Sequence, residues 1–118
     1  MSKTLSDIAA LIEERRGQSP DTSYVASLFA KGTKKIAEKV GEEAVETVIA
    51  GIVEDRQSLI NESADLLFHL SVLWAERDVT PDNVMAELQK RMGISGLDEK
   101  AARQAASKAK KKAQDKNT

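Results

Sequence analysis

Between Lys34 and Arg77 the sequence offers one place where a helix can stop, Glu54-Asp55-Arg56, and that interruption fixes most of what the chain can fold into. Before it, Ile36, Val40, Ala44, Val48, Ile49, Ile52 and Val53 recur at helical spacing; after it, Leu59, Leu66, Leu70, Leu73 and Trp74 do the same. Asp55 is placed to cap the second helix, because its carboxylate can accept the first unpaired amides. Two long helices joined by so short a break form an antiparallel hairpin.

The hairpin carries two acidic clusters, Glu42-Glu43-x-x-Glu46 and Glu62-x-x-Asp65. Residues three apart on a helix share a face. Glu43 and Glu46 stand as far before residue 54 as Glu62 and Asp65 stand after it. At about 1.5 Å of rise per residue, folding the hairpin brings the two pairs to one height. Two like charges about 5 Å apart repel by about 3 kcal/mol even at an effective dielectric near 20. Four carboxylates therefore converge only if some are protonated or if a cation lies among them. An all-oxygen donor set without Cys or His suits a hard ion, Mg²⁺ or Mn²⁺. The plainer alternative is a solvated helix face whose glutamates pair with Lys35 and Lys39.

The second helix argues against that alternative. Wound at about 100° per residue, Leu59 to Glu76 is apolar over nearly its whole circumference, and only a narrow sector holding Glu62, Asp65, His69 and Glu76 stays ionisable. Such a helix is expected to be buried, and carboxylates buried with it are costly unless paired or bound to metal.

The rest of the chain also reads as helix. Leu5, Ile8, Leu11 and Ile12 form a stripe with Thr4 or Ser6 as cap and Gly17 as stop; residues 17–22, with Pro20, form a loop. Tyr24, Val25, Leu28 and Phe29 predict a short helix ending at Gly32. Gly41 and Gly51, each costing about 1 kcal/mol against Ala inside a helix, imply a close packing approach. Thr80-Pro81-Asp82 starts a fifth helix that buries Val84, Met85 and Leu88 and stops near Gly93. The reading is all-α, about five helices around a central hairpin. The apolar faces of that hairpin exceed what three short partners can cover, which predicts a four-helix core completed by dimerisation.

Composition narrows the function. With 118 residues and no Cys, the chain builds a small core without disulfides or thiol chemistry. Residues 98–118 carry seven Lys or Arg against three Asp or Glu, a net +4, so the overall −1 leaves the first 97 residues at −5. That division predicts a domain over 1–97 and a basic, Ala/Lys-rich extension over 98–118, partly helical, with a frayed or disordered end from about 104. An acidic body with 3% aromatics is a poor nucleic-acid binder. No apolar run reaches the ~20 residues of a membrane span, no secretory pattern opens the chain, and a cytoplasmic location is expected.

The runs KIAEKVGEEAVE (residues 35–46) and ESADLLFHL (residues 62–70) resemble the phosphoribosyl-ATP pyrophosphatase family of histidine biosynthesis, within the all-α NTP pyrophosphohydrolase (MazG-like) superfamily. Ser23-Tyr24-Val25-Ala26-Ser27-Leu28 with Lys31-Gly32, and Gly93-Ile94-Ser95-Gly96-Leu97-Asp98-Glu99-Lys100, resemble the same family, so the likeness spans roughly residues 4–103. It implies Mg²⁺-dependent hydrolysis of the α–β phosphoanhydride of phosphoribosyl-ATP, giving phosphoribosyl-AMP and pyrophosphate. It also implies a metal held by the carboxylates at Glu43, Glu46, Glu62 and Asp65.

Glu42, the spare acid of the cluster, is the candidate to orient or deprotonate the attacking water. Lys31, Lys35 and Lys39 form an i, i+4 ladder if the helix is continuous. They are candidate phosphate contacts, or else pair with glutamates for ~0.3–0.5 kcal/mol each. His69, one turn beyond Asp65, either satisfies itself in the core or contacts a metal ligand or substrate. Tyr24 could stack on a base, although core packing is its commoner role. Two other functions fit the same residues: a housecleaning pyrophosphatase for non-canonical NTPs, and a non-catalytic helical interaction bundle. Ferritin-like metal storage needs Glu-x-x-His pairs, which a sole His69 cannot supply.

Overall fold

A computed structural model describes residues 4–93 and 103–108, and every regular element among them is helical. Five helices follow in order: α1 (Leu5–Arg16), α2 (Tyr24–Lys31), α3 (Thr33–Val53), α4 (Arg56–Glu76) and α5 (Pro81–Gly93). Residues 103–108 are also helical. The chain up to Pro81 makes one compact unit and the chain from Asp82 a second. The boundary expected at 97/98, the 94–100 part of the family-like run and most of the expected frayed end lie outside the described residues.

Local chemistry sets the ends of the first unit's helices. The Thr4 hydroxyl accepts from the Asp7 amide while the Asp7 carboxylate accepts from the Thr4 amide, a reciprocal cap that opens α1. Ser23 caps α2 by accepting from the Ala26 amide, and Asp55 caps α4 by accepting from the Ser58 amide. Both Asp7 and Asp55 are held below the ordinary carboxyl pKa, first of all by these backbone hydrogen bonds. Gly32 separates α2 from α3 at φ +93°, a conformation any side chain would strain.

The hairpin is the largest packing contact in the molecule. Glu43 faces Asp65, Thr47 faces Glu62 and Gly51 faces Leu59, pairings that fall symmetrically about the Glu54-Asp55 connection and establish the antiparallel register. α1 and α2 close over its open end. There Ile12, Leu28, Ile36 and Val72, one from each helix, are completely buried, with Phe29, Phe68 and Leu73 packed around them. Arg16 ties this end together: its guanidinium lies 4.2 Å from the Phe29 ring centre and 3.8 Å from Glu76, whose other oxygen accepts from Thr33.

Three expectations need correction. α4 is not buried on all sides, since Leu59, Ile60, Ala64 and Leu67 are exposed; α1 and α2 reach only the open end of the hairpin. Among the described residues, nothing beyond the helix's own backbone lies within 4 Å of a Cβ built on Gly41, and Gly51 meets Leu59 at an ordinary 3.7 Å, so neither glycine marks a close approach within the described chain. In α5, Met85 and Leu88 are exposed and Val84 is half-buried; a helix cannot cover its own apolar stripe.

Candidate active site

The carboxylates meet halfway along the hairpin. Glu43 of α3 and Glu62 and Asp65 of α4 place one oxygen each within 4.8 Å of one another. Glu43 is 8% exposed and Glu62 half-buried, whereas Asp65 and Glu46 stand at the solvent edge. Thr47 holds the register beneath them. Its hydroxyl lies 2.7 Å from the Glu43 carbonyl and 3.2 Å from the Glu62 carbonyl, so one proton is shared between the two helices. This bridge escapes sequence reasoning, because a threonine inside a helix gives no sign of which carbonyl it will face.

Electrostatics register the crowding. Burial, then the neighbouring Glu46 charge, pushes the Glu43 carboxyl above its ordinary range. Glu62 is pushed up to about 7, first by the neighbouring Glu46 carboxyl, then by burial and the other surrounding acids. Glu46 therefore belongs to the cluster through both partners, although it lies outside the tightest three. Among the described residues, Glu43 Oε2 and Glu62 Oε2 are buried with no hydrogen-bond partner. Two unpartnered, buried carboxylate oxygens beside further acids are costly as they stand. A hard divalent cation satisfies all of them at once, so the donor set fits such an ion.

The remaining candidates flank this cluster. Glu42 is exposed and points to Lys39, with Oε2 3.3 Å from Nζ. That contact, ahead of any other, raises the Lys39 pKa. Lys35 pairs with Glu38 at 3.4 Å. Gly32 interrupts the expected lysine ladder. Even so, Lys31, Lys35 and Lys39 line one pocket of about 190 Å³ with Tyr24, Leu28 and Glu42. His69 is 5% exposed, and both its nitrogens are engaged: Nε2 lies 2.8 Å from the Tyr24 hydroxyl and Nδ1 2.7 Å from the Asp65 carbonyl. Buried carboxylates able to hold a cation, beside an open pocket lined by ammonium groups, suit a polyphosphate ester.

Residues 5–92 match the family model described as phosphoribosyl-ATP pyrophosphohydrolase. The chain is 58% identical to a phosphoribosyl-ATP pyrophosphatase of Rhizorhabdus wittichii, over 87% of this chain and 97% of the relative. It is 57% identical to one of Zymomonas mobilis, over 86% and 94%, and 56% identical to one of Rhodobacter capsulatus, over 84% and 96%. No described helix is long and apolar enough to cross a membrane.

Proposed function

We propose, from the premise that this chain belongs to the phosphoribosyl-ATP pyrophosphohydrolase family, that it hydrolyses the α–β phosphoanhydride of phosphoribosyl-ATP to phosphoribosyl-AMP and pyrophosphate, the second step of histidine biosynthesis. The observation that carries the reading is the pair of buried, unpartnered oxygens on Glu43 and Glu62, set against Asp65 across the hairpin. Glu43, Glu46, Glu62 and Asp65 would hold Mg²⁺ or Mn²⁺. When bound, the ion supplies neutralisation of phosphate charge and a lowered pKa for a coordinated water. Lys39, Lys35 and Lys31 bind phosphate oxygens in the adjoining pocket and keep the polyphosphate in register with the carboxylates. Glu42 stands outside the three closest oxygens and pairs with Lys39; in this reading it turns from that pair to orient the attacking water and take its proton.

These roles separate in an experiment. Glu42→Gln should lower turnover by about 10²-fold and leave Mg²⁺ affinity near that of the wild type; parallel loss of both would merge Glu42 with the metal ligands. The activity itself is tested by incubating the protein with phosphoribosyl-ATP and Mg²⁺ and measuring pyrophosphate, with chelator abolishing release. A preference for ordinary or modified NTPs would favour the housecleaning alternative, and no release from any nucleotide the interaction bundle.

A second copy of the chain is the partner this reading requires. Val48, Ile49, Ile52 and Val53 of α3 stand exposed towards the turn of the hairpin, where no helix of the first unit covers them. Two hairpins packed about a two-fold axis would bury both faces. The enzyme is placed in the cytoplasm, with neither nucleic acid nor membrane as a partner.

A further inference from the structure

Tyr24 touches both halves of the site and has a role in neither. It is the first residue of α2, directly after the Ser23 cap, with its ring 6.2 Å from that of Phe68. It lines the lysine pocket, and its hydroxyl reaches His69 Nε2 at 2.8 Å. The geometry fixes the direction of each bond. A backbone carbonyl can only accept, so the proton on His69 sits on Nδ1 and points to the Asp65 oxygen. In the neutral ring Nε2 is then an acceptor, and the phenol must donate to it. The carbonyl His69 engages belongs to the residue whose side chain completes the three-carboxylate cluster. His69 also lies within electrostatic reach of Glu43, and Tyr24 and Glu43 both lie within reach of Lys39.

We propose that Tyr24 and His69 are positioning residues that link the lysine pocket to the carboxylate cluster: Tyr24 anchors His69, and His69 holds the helical turn that aims Asp65. The proposal rests on the cation-binding reading of the carboxylates. It assigns Tyr24 a task that neither packing nor base stacking gives it. The carbonyl of Asp65 is the acceptor for a helical amide one turn on, and a second donor from the side chain pins that turn from outside the backbone ladder. Groups that fix a ligand in this indirect way typically change metal affinity or activity 10–100-fold when removed.

Tyr24→Phe keeps the ring against Phe68 and deletes only the donor. His69→Asn keeps an N–H near the position of Nδ1 but cannot reach Tyr24. Calorimetric titration with Mg²⁺ should show binding about tenfold weaker in each, and no further weakening in the double variant, because both changes cut one chain of contacts. Raised Mg²⁺ should restore kcat of Tyr24→Phe. Without metal, ¹⁵N resonances of His69 should report Nδ1 protonated and Nε2 bare, with Nε2 shifting in Tyr24→Phe. Wild-type Mg²⁺ affinity in Tyr24→Phe, a rise confined to KM, additive losses in the double variant, or a proton on Nε2 would each overturn the assignment. A wild-type protein that takes up no Mg²⁺ would instead remove the cation-binding reading, and this role with it.

Discussion

Glu43→Gln is expected to lower pyrophosphate release by at least about 10²-fold, the upper range for loss of groups that only support a metal ligand, while raising the melting temperature in chelator. The two effects share one cause. Glu43 is the most buried acid of the cluster, its Oε2 has no partner, and Glu46 and Asp65 bear on it. Without a cation the carboxylate is a buried charge among like charges; an amide of the same shape removes the repulsion and adds a donor. With a cation that carboxylate is a ligand, and the amide is a poor replacement. Melting followed by the fluorescence of Trp74 should therefore rank the variant above wild type in chelator and below it in Mg²⁺. A variant that melts below wild type in both would mean that the acids are stabilised by something other than an ion.

The same cluster sets a pH dependence of definite sign. Glu62 is held near 7 and Glu43 is also raised, so the folded chain binds protons more tightly than the unfolded chain. Stability from these groups is fully present below the ordinary carboxyl value of 4.5 and lost as pH rises through about 7. In chelator the melting temperature should fall over that interval. Mg²⁺ should flatten the fall, since the ion replaces the protons as they leave.

How far the sequence disclosed this site depends on the distance over which each feature is determined. The caps at Thr4 and Asp55 and the stop at Gly32 are set within four residues, and local side-chain chemistry is enough to place them. The meeting of Glu43 with Glu62 and Asp65 follows from helical rise and a single turn, so counting outward from Glu54 brings them together. Coverage is a different matter. Val84, Met85 and Leu88 share a face as their spacing requires, but a face is buried only by what lies against it, and spacing carries no information about that. The same holds for Thr47 and for the contact between Tyr24 and His69. Each depends on groups far apart in the chain arriving at hydrogen-bond distance: a side chain and a carbonyl 15 positions away in the first case, two side chains 45 positions apart in the second. A polar residue inside a helix and an aromatic at a helix start both look like ordinary structure until the register is known.

Ile52→Asp gives the sharpest separation between a chain that works alone and one that works as a pair. Within the single chain Ile52 is 76% exposed, and its neighbours Val53 and Val48 are 73% and 59% exposed. An aspartate there touches little, and on the isolated fold the substitution should change stability by no more than about 0.5 kcal/mol. In a two-fold dimer the same residue lies in an apolar interface and is changed on both sides at once. Fully burying one such side chain is worth about 1.5–3 kcal/mol, and a buried, unpaired carboxylate adds its own desolvation cost. The expected outcome is a wild type that sediments at twice 12.9 kDa and a variant that sediments near 12.9 kDa, with a lower, concentration-dependent melting temperature. Turnover should fall with assembly, because the hairpin that would lose its partner is the one that carries every carboxylate of the site. A wild-type protein that sediments as a monomer at micromolar concentration would leave the apolar turn of the hairpin for some other surface to cover.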